Sequence, residues 1–262
     1  MRVITLGCSD LAVEVCNSLL TVPGVTQISL VCTPYVIRKR SLLQKLIHIH
    51  KTQGLAGLVS NMSIKVLGSS SREPLQIASP VKLDSRAGEF KFANFHDPLC
   101  VAQIRSLLPD LGVIAGTYIL KESVFSIPAQ GCVNLHTGKV PEYRGAAPAF
   151  WEMYNGESSV GITIHRVVTA VDAGNILLQE DFPFDSAPQD DPLAYIERYR
   201  KEVLLPNGVR MLTEVVARIA AGIAEERPQD THSARTYRSP THEDVRELRR
   251  RVAERRKEMR TR

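Results

Sequence analysis

An asparagine and a histidine stand two positions apart in the apolar run GCVNLH, residues 131–136, and the chain passes straight from them into TGKVPEYRG. If that run is a strand, Asn134 and His136 point to the same side of it, because strand side chains alternate. An amide and an imidazole side by side can hold and protonate an oxyanion as it develops on a carbonyl carbon. Further on, Asp172 lies in TAVDAGNILLQ (169–179), just after a second apolar run, VGITIHRV (160–167). A carboxylate there can orient the imidazole, raise its pKa and steer a proton through water. No obvious Ser or Cys nucleophile accompanies the three, so direct attack by an acceptor is expected rather than a covalent intermediate.

Those side chains meet only if strands and helices alternate around them. RVITLG (2–7) is a short apolar run ending at Gly7, and DLAVEVCNSLL (10–20) then puts Leu11, Val15, Leu19 and Leu20 on one helical face behind Asp10 as N-cap. ISLVCT (28–33), LGVIAG (111–116), GCVNLH and VGITIHRV read as further strands. The order predicts an α/β fold, a Rossmann-like, mostly parallel sheet with helices on both faces. Asn134 and His136 then sit at the carboxyl edge, where open parallel sheets bind ligands. A dinucleotide is not expected: the turn GCSD lacks GxGxxG, and VCTPYVIRKR after the second strand has no acidic residue for a ribose hydroxyl. The amides after Gly7, around Ser9, could meet an anionic substrate group at a helix N-terminus, and a plain structural turn explains the glycine equally well.

Toward the C-terminus, PLAYIERYRKEVLLPNGVRMLTEVVARIAAG (192–222) reads as two helical stretches parted near Pro206, Asn207 and Gly208. RPQDTHSARTYRSP has no periodicity and reads as a linker, and THEDVRELRRRVAERRKEMR as a charged helix capped by Thr241. The expected organisation is a catalytic domain over 1–226 followed by a linker and short helical extension over 227–262. Net charge divides along the same line. From Arg227 onward twelve Arg and Lys stand against six Asp and Glu, which is +6 of the total +5 and leaves residues 1–226 at −1. The basic end reads as a solvated helix in preference to a nucleic-acid arm.

Composition, 44% hydrophobic and 23% charged, is that of a soluble globular protein. The N-terminal apolar run is too short for a secretory signal or a membrane span, so the cytoplasm is the expected location. Five scattered cysteines without a CxxC pair suggest neither a disulfide framework nor a zinc knuckle. His48 and His50, within a basic stretch over 35–59, lack a third ligand nearby, and no metal site is expected. His165 alternates with Ile162 and Ile164 and falls with Thr163 on the opposite face, where a structural role is favoured. Phe150, Trp151 and Tyr154 read first as packing, with a base-stacking surface as the alternative.

Three stretches carry a resemblance: GCVNLHTGKVPEYRGAAPAFW, GITIHRVVTAVDAGNILLQ and PDLGVIAGTYILKESVF. They resemble the folate-dependent formyltransferases, a family that includes methionyl-tRNA formyltransferase, glycinamide ribonucleotide transformylase and sugar N-formyltransferases. The likeness is close over about 80–212 and loose over 1–34. It implies the formyltransferase fold, catalytic roles for Asn134, His136 and Asp172, and 10-formyltetrahydrofolate as formyl donor, with no metal. It further implies a pterin pocket formed by the backbone of two loops, Tyr118, Ile119 and Leu120 in one and Thr169, Ala170 and Val171 in the other. Most members carry Ser-Leu-Leu-Pro after the histidine, where this chain has Thr137, Gly138, Lys139, Val140 and Pro141.

The altered loop lies beside the acceptor by that resemblance, so Lys139 and Arg144 could pair with acceptor phosphates, or only face solvent. Ser9 and Trp151 complete the residues expected to bind the acceptor. That acceptor is expected to be a small primary amine, an amino sugar carried on a nucleotide. Methionyl-tRNA is the alternative, set back by a tail that reads as short for an RNA-binding barrel, and hydrolysis of the formyl donor is a third reading. Neither a membrane nor a nucleic acid is an expected partner, and a homodimer is left open. On this view truncation after Pro228 leaves transfer largely intact.

Overall fold

The structure is a computed structural model that describes residues 1–33, 81–230 and 232–261. The basic stretch 35–59, with His48 and His50, lies outside the described residues, as does the loop 69–74. The described residues fall within one compact unit made of 1–34 and 81–262.

The chain opens with β1 (Arg2–Gly7), α1 (Asp10–Leu19) and β2 (Gln27–Cys32), and after the undescribed stretch continues through β3 (Gly88–Lys91), α2 (Pro98–Ser106), β4 (Leu111–Ala115), α3 (Glu122–Phe125) and β5 (Cys132–His136). There follow β6 (Arg144–Gly145), α4 (Phe150–Asn155), β7 (Ser159–Arg166) and β8 (Ile176–Pro183). The C-terminal part comprises α5 (Pro192–Tyr199), α6 (Leu205–Ala220), β9 (Thr236–Tyr237) and α7 (His242–Thr261). Among the described residues seven strands make one sheet in the order β3-β2-β1-β4-β5-β7-β8, while β6 and β9 form a separate parallel pair.

The expected α/β architecture is present, and its parallel part runs from β3 to β5. Alternation along the strands feeds two cores. Val3, Val113, Val133, Leu135, Ile162 and Ile164 enter one with α1 and α6, whereas Ile4, Leu6, Ile114 and Cys132 enter the other with α2 and α3. Helices therefore cover both faces. α2 and α5 each start with an aspartate directly before a proline: Asp97 accepts from the Leu99 amide, and Asp191 from those of Leu193 and Ala194.

The edge beyond β5 departs from simple winding. β7 runs antiparallel to β5, pairing Asn134 with His165 and His136 with Thr163, and β8 is antiparallel to β7. The expected break at Pro206–Gly208 is absent. A π-helical turn over Arg200–Leu204 joins α5 to α6, and Pro206 falls in the first turn of α6, directly after that widened turn. A Cβ on Gly208 would press into the Leu135 side chain, so the glycine lets α6 lie close on β5.

The segment after Glu226 is not a free linker. Arg227 exchanges backbone hydrogen bonds with Ile176 at 2.9 and 2.8 Å, β9 pairs with β6, and Leu248 and Val252 of α7 are buried in the main core. Much of the basic charge of α7 is spent on clamping it down. Arg249 pairs with Asp191, Arg251 lies 4.1 Å over the Tyr154 ring, and Arg255 donates to the carbonyls of Met153 and Ser186. Thr241 caps α7 as expected, its hydroxyl accepting from the Asp244 amide. The boundary expected at 226 thus falls inside one unit, because the last 36 residues supply core side chains and sheet hydrogen bonds.

Candidate active site

Asn134 and His136 lie on one face of β5, and the antiparallel pairing adds Thr163 and His165 to that face from β7. Loop 167–175 leaves β7 beside the start of β5, tied there by the Val167 amide donating to the Cys132 carbonyl, and turns back to bring Asp172 onto the same face. The Asp172 carboxylate stands between two imidazoles, Oδ2 at 3.6 Å from His136 Nδ1 and Oδ1 at 3.4 Å from His165 Nε2. The Asn134 amide donates toward His165 Nε2 at 3.2 Å.

Two conformational demands hold Asp172 in place. Its own φ is +48°, a left-handed conformation that aspartate tolerates better than most residues. Gly145, at φ +91°, donates its amide to Asp172 Oδ2 at 2.8 Å, and a side chain there would run into the Tyr237 carbonyl. Behind the loop, Gln229 Nε2 donates to the carbonyls of Asp172 and Gly174 at 2.9 and 2.7 Å.

The backbone fixes the proton positions on both rings. His136 Nε2 lies 2.7 Å from the Tyr143 carbonyl and His165 Nδ1 2.8 Å from that of Arg166, and a carbonyl only accepts, so each of these nitrogens carries hydrogen. Nδ1 of His136 is then the nitrogen free to titrate. Burial pulls the His136 pKa below its ordinary value, against the nearby Asp172 carboxylate, and the ring is neutral. Burial alone would raise Asp172, but the adjacent His165 and His136 rings and the Gly145 amide hold it down to about 2. A neutral imidazole next to an ionised carboxylate, with an amide alongside, is suited to receiving a proton while charge forms on an adjoining oxygen.

The other expected residues divide. Tyr118, Ile119 and Leu120 follow β4: the Tyr118 hydroxyl accepts from the Phe95 amide and donates to Asn94, Ile119 is exposed and Leu120 is buried. Thr169, Ala170 and Val171 are exposed on the Asp172 loop. Ser9 is exposed at the N-terminus of α1, with no side-chain bond capping the helix. Lys139 is paired with Asp181 at 2.5 Å. Arg144 and Trp151 are engaged by the C-terminal segment: Arg144 donates twice to Gln229 Oε1, and Trp151 is buried, stacks on Tyr237 and donates to the Arg238 carbonyl. The acceptor contacts expected of those two are taken within the protein itself.

Two participants escape a reading of the sequence. His165 reads as structural there, because nothing in the sequence shows that β7 pairs antiparallel with β5 and lays it opposite Asn134. Gln229 stands in a stretch without periodicity, and its role depends on a contact across 57 residues.

With this geometry in view, the comparisons with known proteins are specific. A family model described as formyl transferase matches residues 36–203, more than half of the chain. The chain belongs to the formyl transferase family. A methionyl-tRNA formyltransferase from Kosmotoga olearia is 38% identical over 135 residues, which cover 51% of this chain and 41% of that relative. The match thus spans about two-fifths of the relative's length. Among solved structures, WlaRD, a sugar 3N-formyltransferase crystallised with dTDP and 5-N-formyl-THF, superposes with a TM-score of 0.52 at 14% identity, covering 90% of this chain and 69% of that one. Glycinamide ribonucleotide transformylase 1 from Symbiobacterium toebii superposes with a TM-score of 0.56 at 15% identity, covering 88% and 94%. These likenesses carry the fold.

Proposed function

We propose that this formyl transferase family member moves a formyl group from 10-formyltetrahydrofolate to a primary amine, with the amine attacking directly. The observation that carries the reading is the convergence of Asn134, His136 and Asp172 on one sheet face, with Asp172 Oδ2 3.6 Å from the titrating nitrogen of His136. As the C–N bond forms, the formyl oxygen becomes an oxyanion. The Asn134 amide has a second N–H for it beyond the one aimed at His165. The proton lost by the amine passes to His136 Nδ1, where Asp172 stabilises the imidazolium, and then to the departing folate nitrogen. The loops Tyr118–Leu120 and Thr169–Val171 are the proposed pterin site, and their backbones are the part that the donor would contact. This chemistry asks for no metal.

For the acceptor, an aminoacyl-tRNA is the first reading. It is supported by 38% identity to a methionyl-tRNA formyltransferase, and the phosphate-and-base reading loses ground because Arg144 and Trp151 are engaged internally. A nucleotide-linked amino sugar is the second, favoured by the N-terminus of α1 at Ser9, which has no side-chain cap among the described residues and can meet a phosphate. Incubation with formyl-labelled donor, charged initiator tRNA and nucleotide-linked amino sugars in separate reactions tests both. Label in the tRNA alone supports the first, and label in a sugar alone replaces it with the second. Formate release with no labelled amine would leave hydrolysis as the activity.

A further inference from the structure

Beneath the loop that joins β5 to β6 is a cavity of about 170 Å³, lined by Lys139, Glu142, Tyr143, Glu152, Glu157 and Ser159 together with Gly161. Glu152 is 1% exposed, and among the described residues neither of its carboxyl oxygens has a hydrogen-bond partner; Oε2 of Glu142 is likewise buried and unpartnered among them. Protein interiors seldom leave a carboxyl group in that state, because losing water without gaining a partner costs several kcal/mol, on the order of 2 to 7. Lys139 does not fill the need, since its ammonium is drawn off to Asp181. Glu157, exposed toward solvent, accepts from the Tyr143 hydroxyl at 2.7 Å and gives the cavity an acidic wall on its open side.

We propose that this cavity is a binding site for a small primary ammonium group, held by the carboxylates of Glu152, Glu142 and Glu157. The charge of the walls selects a cation. The number of donors fits as well, because an ammonium carries three N–H bonds and the unpartnered oxygens are three, both of Glu152 and Oε2 of Glu142. The size limits the guest to the ammonium and a few carbons, as a water takes roughly 30 Å³. A divalent ion is not the occupant, since the three carboxyl groups do not gather at metal-ligand spacing among the described residues. Burial also pushes the Glu152 carboxyl up to about 8, so an entering cation displaces a proton from it. Tyr143 links the cavity to the candidate active site, because its carbonyl accepts from His136 while its hydroxyl bonds Glu157. The inference rests on the cavity and its carboxyl groups and holds whatever the acceptor of formyl transfer is.

Thermal melts of the full chain with ethylammonium chloride, tetramethylammonium chloride or sodium chloride at matched ionic strength test it. A saturable rise in Tm with ethylammonium alone is expected, through binding to the native state. Glu152→Gln, which keeps the shape and removes the charge, is expected to melt cooperatively without that rise, and Glu157→Gln to need about tenfold more ethylammonium, equivalent to losing one exposed charge-assisted hydrogen bond. An equal rise in all three salts, no rise in any, or a full rise retained in Glu152→Gln would each overturn the site. If Glu152→Gln does not fold, Glu157→Gln decides alone, and an unchanged ethylammonium response in it overturns the proposal.

Discussion

Replacing Gln229 by alanine tests whether the C-terminal segment is part of the catalytic apparatus. The side chain donates to the carbonyls of Asp172 and Gly174 and accepts twice from Arg144. Removing it leaves three partly buried partners to find water. At about 1 kcal/mol for each, reduced because solvent can reach some of them, the loop carrying Asp172 loses roughly 2 kcal/mol of restraint. Asp172 sits at φ +48°, a conformation that persists only while its surroundings impose it. About 2 kcal/mol is close to a thirtyfold change in the population of the held loop, so the transfer rate should fall by roughly ten- to a hundredfold. The accompanying loss of Tm should be only about 4 to 8 °C for a chain of this size. Initial rates of formyl transfer at saturating donor, measured beside melting curves, separate the two effects. Gln229→Glu should fare no better, since a carboxylate cannot donate to two carbonyls. Unchanged turnover in Gln229→Ala would refute the claim that this side chain holds Asp172 in place. Truncation after Pro228, which the sequence alone suggests is harmless, is expected from the structure to abolish cooperative folding, as it removes β9 and the buried Leu248 and Val252.

Three further outcomes follow from the site and the core. His136→Ala should lower transfer about a hundredfold or more with the fold retained, checked by rate and circular dichroism, and Asp172→Asn should do the same. A chelator should leave activity and folate binding intact, and activity lost to it and restored by zinc would contradict the mechanism. Glu152 is raised to about 8 from an ordinary 4.5, so its contribution to stability is fully present below 4.5 and lost as pH rises through 8. Chemical denaturation of Glu152→Gln across pH 5 to 9 should therefore show the variant gaining on the wild type as pH rises, by about 4 kcal/mol at most, and a constant difference would exclude the shift.

How far the sequence reaches depends on the range of the interaction. Asn134, His136 and the face they share are legible because strand alternation is local. So is the cap of α7 at Thr241, whose bond closes within three residues. Nothing local shows that the strand after α4 enters antiparallel, and that choice alone decides whether His165 faces Asn134 or points elsewhere. Arg144 and Trp151 look free in the sequence because their partners, Gln229 and Tyr237, lie 85 and 86 residues away in a stretch of linker-like composition. The charge run of α7 looks solvated for the same reason. Its arginines reach acidic groups, carbonyls and an aromatic ring on elements that only the fold brings near.

The arrangement around Asp172 also explains why one substitution should separate activity from stability. Each of the two histidines spends one N–H on a backbone carbonyl, so the nitrogen that faces Asp172 in a neutral ring is a lone pair. An ionised Asp172 therefore faces the lone pair of the neutral His136 ring at 3.6 Å, and that contact is short of one proton. That shortage suits a site that must take a proton from an attacking amine and release it again, while the contacts that hold the Asp172 carboxyl down to about 2 keep it ionised in the resting protein. The amide introduced by Asp172→Asn could turn its N–H toward either ring and relieve the conflict, while its oxygen still accepts from the Gly145 amide. The variant should thus melt only a few degrees below the wild type at pH 7, where it forgoes the stability that the ionised carboxylate contributes, and still lose transfer. A large fall in Tm would mean that Asp172 serves chiefly to hold a protonated histidine in the resting fold, and the proton-uptake role assigned to the cluster would fail.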